Sequence, residues 1–469
     1  MLEGLETVEL RFSELEKGLR IDAELYNRFL VNSERKIRNL GYTTLSVEAS
    51  TVRKGIFDIK SDCYSSEGIP FVRISNLKNM LIDTNDIVYI PQYEHDKNFQ
   101  TALEYGDLIL SKTANAAASF VNLKYCNTSQ DTVAIKLKKA SKVLSEYVVI
   151  FLNSKIGLKS MQRWFTGNIQ MHLNLDDTKD NLLIPLLSFT IQNIIKELFE
   201  NSIKLNEQSI ALYSEAVNIL LQELGLANWQ PIIKNNNIKT LKESFLLTGR
   251  IDAEYYQPKY DEIESAIKKY KGGYDKLGNC IVEINTGEFA SDYFSNQSGY
   301  EFFIRNTNIS KGEIVKDDSY YVNPHTFTKF VREGDILTAR VGAIGNFGTV
   351  NKDIAGSIYS DNVLNLRLKN SFIPEVYTCY FSTKPNLELI NKISGGSVQA
   401  LITQTSIKEL LIPIFSIEIQ ETISQKVQGS FSLQKQSKHL LEVAKKAVEI
   451  AIEQSEAAAI KFINQNKNA

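Results

Sequence analysis

The chain has 469 residues, 43% of them hydrophobic and 23% charged, with nine prolines and a formal net charge of −2. That length exceeds what one hydrophobic core organises and implies two to four compact units, while the composition excludes a disordered or fibrous chain. A near-neutral balance excludes a generally basic protein of the kind that phosphate binding leaves behind, so any basic surface must be local, on one face.

The first residues, MLEGLETVEL, lack the basic start of a signal peptide, and no later apolar run reaches membrane-spanning length, so a cytoplasmic location is expected. In chain order, an amphipathic helix is predicted over Ala23 to Leu40, followed by short alternating strands rich in Val, Ile, Tyr and Phe. Gly106-Asp107 reads as a turn entering a buried strand, LILS. From Phe189 to Leu224 no Pro or Gly interrupts the pattern and Gly225 supplies a stop, which predicts one long helix. Trp229, Pro231 and the asparagines at 235–237 mark a connector. A second amphipathic helix is predicted over Ala253 to Tyr270, then strands again, with Gly334-Asp335 turning into ILTA. Gly342, Gly345 and Gly348 form a G-x-x-G-x-x-G series whose spacing differs from the dinucleotide fingerprint, so a flexible loop is expected.

Large residues recur every seventh position in the first long helix, at Ile191, Leu198, Leu205, Leu212 and Ile219, with Ile195, Ser202, Ser209 and Ala216 four later. The C-terminal tract repeats the register with Ile419, Leu433, Leu440 and Ala447, Lys426 being the exception, and with Ile423, Ser430, Ser437, Ala444 and Ala451 four later. A large stripe beside a small one suits close helix packing, so the two tracts are expected to pair antiparallel as a coiled-coil-like spacer; the alternative is that each packs on its own domain.

The sequence also matches itself at an offset of roughly 230 residues, as a duplicated domain plus connector would. RIDAE at 20–24 returns at 250–254, FVRISNL at 71–77 as FIRNTNI at 303–309, and YGDLILSK at 105–112 as EGDILTAR at 333–340. Asp131 aligns with Asp361, GNIQ at 167–170 with GSVQ at 396–399, and LLIPLLSFTIQNII at 182–195 with LLIPIFSIEIQETI at 410–423. Between these anchors the copies differ almost completely. Loops on a rigid frame usually carry binding, so each copy is expected to perform one task on a different ligand. The fold class that follows is α+β: two duplicated α/β domains joined by two long antiparallel coiled-coil-like helices.

Catalytic signatures are missing. No glycine precedes a lysine, which excludes the usual phosphate loop, and no Pro-Pro pair exists, which removes the [DN]-P-P-[YF] motif of amino-methyltransferases. Glu34 to Lys36 and Asp177 to Lys179 have the residue types of a metal-dependent nuclease, but such triplets arise readily on a solvated helix face. His95, His172, His325 and His439 have no repeat-related partners, and Cys63, Cys126, Cys280 and Cys379 form no C-x-x-C pair, so they are read as reduced thiols. No metal site and no cofactor are expected in this chain.

The duplicated order GIPFVRISNL, YGDLILSK, GNIQ and LLIPLLSFTIQ followed by a long helix, returning over 299–423, resembles the specificity subunits of Type I restriction-modification systems over nearly the whole chain. The second copy departs with Glu301 and Phe302 where the first has Ile69 and Pro70. The resemblance implies target-recognition domains at 1–185 and 250–413, a central spacer helix and connector at 186–249, and a distal spacer helix at 414–469. It implies a non-catalytic subunit that recognises a split double-stranded DNA site, one half per domain. Its partners would be two modification subunits that methylate adenine with S-adenosylmethionine, and restriction subunits that use ATP and Mg. Two other readings stay open: a stand-alone metal-dependent nuclease, and a two-lobed protein-interaction scaffold.

Base edges are read by paired donors and acceptors, which Arg, Asn and Gln supply, while Ser, Thr and Lys more often fix phosphates. Matched candidates are Arg73, Ser75 and Asn76 with Arg305, Thr307 and Asn308, Lys112 with Arg340, and Gln170 with Gln399. Arg73 and Arg305 could instead pair with Asp107 and Asp335 as scaffold. Asn115, His172, Asn174, Asn346 and Gln404 belong to one copy only and are the candidates for base selection.

Overall fold

The computed structural model describes residues 8–15, 25–78, 80–112, 118–166, 172–231, 237–310, 312–342, 344–394 and 401–467. The chain forms two compact units, one built from 1–206 with 435–469 and the other from 207–434. Both dividing points fall inside a long helix, so each unit is completed by half of a helix that begins in the other copy.

Within the first unit, one sheet runs in the order 49–54, 132–137, 108–111, 118–120, 81–82, 77–78, and a second in the order 88–90, 69–72, 125–128, 103–104. The second unit repeats the frame as 281–286, 363–368, 336–339, 347–349 and as 321–322, 301–304, 358–359. In both, the strand after the first loop pairs in parallel with the strand that opens the duplicated FVRISNL/FIRNTNI string. The strands Leu108–Ser111 and Ile336–Ala339 are buried at every position, which explains why they read as continuous apolar runs rather than alternating ones. Gly106 and Gly334 enter them at φ of 96° and 83°, a left-handed backbone that glycine adopts without a Cβ penalty. Gly55 and Gly287 are fixed by space instead: an added Cβ would stand 2.3 Å and 1.9 Å from the carbonyl oxygens of Ser129 and Tyr359.

Hydrogen bonds repeat atom for atom. Gly55 N donates to Thr132 O and Gly287 N to Val363 O; Ser129 N donates to Val72 O and Ser360 N to Ile304 O. This frame equates Asp131 with Asn362, one residue on from the alignment with Asp361, because Lys112 N donates to Asp131 O where Arg340 N donates to Asn362 O. Ile69–Val72 and Glu301–Ile304 occupy the same place despite their different first residues, since Ile69 pairs with Ile90 and Glu301 with Val322.

Three local expectations change. The first helix spans Arg28–Leu40, starting where Asn27 Oδ1 accepts from Leu30 N at 3.0 Å, and so begins later than Ala23. The helix expected from Ala253 divides into a 3-10 turn, Ala253–Tyr256, and a helix, Pro258–Lys268, with the proline in its first turn, where a missing N–H costs nothing. The glycine series is no flexible loop throughout: Gly348 lies in the strand Phe347–Thr349, and a Cβ there would sit 2.5 Å from Glu313 O.

The long helices span Phe189–Glu223 and Ile417–Glu453, and Gly225 follows the first at φ 68°. They pair antiparallel. In the second unit Ser209 Oγ donates to Ser430 O and Ser430 Oγ to Ser209 O, both at 2.8 Å; in the first unit Ser437 Oγ donates to Ser202 O at 2.7 Å. Stepping seven residues back along one helix steps seven forward along the other, so the heptad register runs through the seam. The small stripe is the inner one: Ile195, Ser202, Ser209, Ala216, Ile423, Ser430, Ser437, Ala444 and Ala451 are all buried. Lys426, the break in the large stripe, pairs instead with Glu215 at 2.7 Å. A further helix, Glu456–Asn466, buries Ala459 and Ile463 in the first unit, and Glu456 Oε1 accepts from Ser188 N at 2.7 Å.

Each long helix is also pinned to its own domain by a buried glutamine. Gln192 Oε1 accepts from Leu144 N at 2.9 Å while its amide donates to the carbonyls of Lys142 and Leu187; Gln420 does the same with Ile373 N, Ser371 O and Phe415 O. Helix pairing and domain docking therefore coexist, where they had been weighed as alternatives. We predict that Gln192→Ala, which strands one N–H and two carbonyls in the core, lowers the unfolding free energy in urea by about 1–3 kcal/mol, with an equal effect from Gln420→Ala.

Candidate nucleic-acid interface

Each copy builds one tight turn at the end of a central strand. Arg73 N donates to Asn76 Oδ1 and Arg305 N to Asn308 Oδ1, both at 2.9 Å, closing the 3-10 turns Ile74–Asn76 and Asn306–Asn308. The amides of Asn76 and Asn308 then donate to Asp83 O and Val315 O, both at 3.1 Å, and Asn76 also reaches Asp86 Oδ1. Both asparagines are buried, so their polar atoms are engaged within the scaffold. Ser75 and Thr307, between the bonded ends, face solvent.

Arg73 and Arg305 do not pair with Asp107 and Asp335. Arg73 Nη2 donates to Asp86 O at 2.7 Å, and Arg305 Nη2 pairs with Asp317 at 3.1 Å with its guanidinium over the Tyr320 ring. The aspartates close their own turns, accepting from Glu104 N and Arg332 N, and take cations from the neighbouring strand: Lys136 at 3.7 Å from Asp107, and Arg367 in a bidentate pair with the fully buried Asp335. Burial pushes the Asp107 carboxyl up, and the Asp335 carboxylate pushes the Arg367 guanidinium up.

Lys112 and Arg340 close the central strands, each half-buried, and their carbonyls accept from Leu173 N at 2.8 Å and Ile402 N at 3.0 Å. Burial, followed by the neighbouring Lys54 ammonium, lowers the Lys112 pKa. In the second copy Asn306 Nδ2 donates to Val341 O at 3.2 Å, which ties the turn bearing Thr307 to the segment bearing Arg340; the helix Gln404–Lys408 begins two residues after Ile402. Thr307, Arg340 and Gln404 are thereby linked at one end of that unit's sheet. The first copy has Ile74 where the second has Asn306, and that apolar side chain cannot donate such a bond.

Asn174 and Thr403 hold equivalent helix-capping places, accepting from Asp176 N and Ser406 N, so Asn174 has a matched partner that sequence comparison did not reveal. Asn346 is half-buried, and its carbonyl accepts from Thr338 Oγ1. Asn115, Gln170, Gln399 and the side chain of His172 lie outside the described residues. Sequence reasoning missed Lys54, Asn306 and Arg367; only Arg367 carried a signal, as the one charge inside a mostly apolar strand, VLNLRL.

Among the described residues no group of three or more His, Cys, Asp or Glu could hold a metal ion, and no helix is long and apolar enough to cross a membrane. Glu34 of the triplet at 34–36 is taken up by Arg38, at 2.6 Å, and Arg163. Burial pushes the Cys126 thiol up to about 12 and Cys280 to about 11, which keeps them protonated and inert.

Residues 277–442 match the family model of the Type I restriction modification DNA specificity domain. No curated protein matches the chain in sequence. Solved structures similar to it include the Type-I restriction-modification system S subunit from M. genitalium, at 12% identity and TM-score 0.43, covering 88% of this chain and 95% of that one. The HsdS subunit from Thermoanaerobacter tengcongensis is similar at 14% identity and TM-score 0.28, covering 91% of this chain and 97% of that one. A chain from a structure of type I R-M system complex assembly and conformational transition has 14% identity and TM-score 0.30, with 88% and 98% covered.

The turn separates framework from surface within three residues. We predict that Asn76→Ala destabilises the protein by about 1–3 kcal/mol, because it orphans the Arg73 N–H it satisfies, whereas exposed Ser75→Ala changes stability by less than about 0.5 kcal/mol. Thermal unfolding of the two variants checks both.

Proposed function

We propose that the chain is the DNA-sequence-specificity subunit of a Type I restriction-modification complex, recognising an asymmetric bipartite duplex with one half-site per copy. The observation that carries this reading is the repetition of one hydrogen-bonded frame with different residues at its ends, such as Ser75 against Thr307 and Lys112 against Arg340, in a chain whose second copy matches the DNA specificity domain model. A shared frame supplies a common docking geometry, and differing end residues supply different base preferences. On this reading residues 1–185 and 250–413 are the recognition domains, and 186–249 and 414–469 hold the spacer helices. On the same reading Arg73, Ser75, Lys112, Arg305, Thr307 and Arg340 stand at or beside the DNA-facing ends.

Two equivalent frames offer two equivalent positions for a partner, which fits two modification subunits acting on adenines in the two half-sites. The chain itself performs no chemistry in this proposal: S-adenosylmethionine belongs to the modification subunits, and ATP with Mg to the restriction subunits. Those partners also supply part of the phosphate-binding charge that a chain of net −2 lacks.

Exchange of residues 41–180 for the corresponding part of a relative should change one half-site and leave the other untouched. Selection of bound duplexes from a random pool, with the modification partner present, reads this directly. A change in both half-sites would contradict independent recognition by the two copies.

A further inference from the structure

One pair of cations in the first copy forms no salt bridge among the described residues and has no second-copy counterpart of the same type. Lys54 ends the strand Ala49–Lys54, and Lys112 follows the strand Leu108–Ser111; both neighbour the same central strand, where Val133 faces Lys54 and Thr132 faces Ser111. The two lysines therefore finish at one end of the sheet, on either side of the chain at Asp131, whose carbonyl takes the Lys112 N–H at 2.9 Å. Lys54 is exposed and Lys112 half-buried, and neither forms a salt bridge among the described residues. The Lys54 ammonium adds to burial in lowering the Lys112 pKa, and only the Asp131 charge opposes them. Two like charges held side by side by strand register are each destabilised by the other, and an anion seated between them removes that cost.

The second copy solves the same problem with different chemistry. Thr286, facing Leu364, stands where Lys54 stands, and Arg340 stands where Lys112 stands. A guanidinium presents two N–H groups to two phosphate oxygens by itself, whereas an ammonium is a point charge, and two of them are needed to flank one anion.

We propose that Lys54 and Lys112 together clamp one backbone phosphate at the half-site read by the first copy, the place that Arg340 alone fills in the second. This inference rests on the DNA-binding reading above. It assigns Lys54 a role that no single-residue comparison of the copies suggests, because its counterpart is an uncharged threonine.

The test is binding of the full chain, with the modification partner present, to a random-sequence duplex pool, followed by fluorescence anisotropy over a range of KCl concentrations. Random sequence isolates the phosphate contribution from base reading. Lys54→Thr should weaken binding and reduce the slope of log K against log salt by about 0.9, the share of one phosphate contact. The double variant K54T/K112R, which installs the second copy's Thr-Arg arrangement, should recover affinity and slope. A K54T slope equal to that of the unaltered chain overturns the clamp while leaving the DNA reading intact. An unaltered chain that shows no salt-dependent binding to the pool overturns the DNA reading, and the clamp with it.

Discussion

Ser209 and Ser430 exchange side-chain to backbone hydrogen bonds, and Ser437 reaches Ser202 seven residues away in each direction. Serine is small enough to let two helix backbones approach, and its hydroxyl then finds a carbonyl that would otherwise be shielded from water. The seam matters because the unit that begins the chain is built from two stretches, 1–206 and 435–469, separated by the whole of the other unit. Residues 435–469 complete the core of the unit that begins the chain, placing Ala444, Ala447 and Val448 in one cluster with Ile191 and Ile195, while Ala216 and Leu220 of the first long helix enter the core of the other unit. Completing the first unit requires closing a loop through residues 207–434, an entropic cost that its buried helix halves must offset.

Fixed by that seam and by Gln192 and Gln420 at the helix starts, each sheet ends in a small set of exposed positions. The frame uses its own polar groups inwardly: Asn76 and Asn308 hold their turns, and Arg367 neutralises buried Asp335. What remains at the strand ends is short: Ser75, Lys54 and Lys112 in one copy, and Thr307, Arg340 and Gln404 in the other. A near-neutral chain can still present cations at these ends because many of its other charges are paired with one another, as with Lys426 and Glu215 or Lys259 and Glu388.

Much of the fold was legible because it rests on periodic or repeated signals. The heptads gave the helix Phe189–Glu223 and its antiparallel partner, and the Gly-Asp turns gave the central strands. Other features depend on distant residues. The identity of Asn362 as the mate of Asp131 appears only when both accept the same backbone bond. Matched spacing offered Asp107 and Asp335 as one possible set of partners for Arg73 and Arg305, whereas the actual partners, Asp86 and Asp317, sit in segments that differ between the copies. Lys54 was invisible for the converse reason: internal repetition highlights shared residues, and a charge present in one copy only carries no repeat signal.

On the proposed function, the paired helices join two independent recognition frames and set the distance between their half-sites. Because the seam is antiparallel, lengthening one helix alone would misalign Ser202 with Ser437 or Ser209 with Ser430. Seven residues must be added to both, between Leu205 and Asn206 and between Leu433 and Gln434, so that each serine contact is kept within its own unit. The addition lengthens the pair by roughly 10 Å, or about three base pairs, and rotates the second half-site by about 100°. Selection of bound duplexes in the presence of the modification partner should then return both half-sequences unchanged with a longer gap. An unaltered gap at normal affinity would show that these helices do not set the spacing.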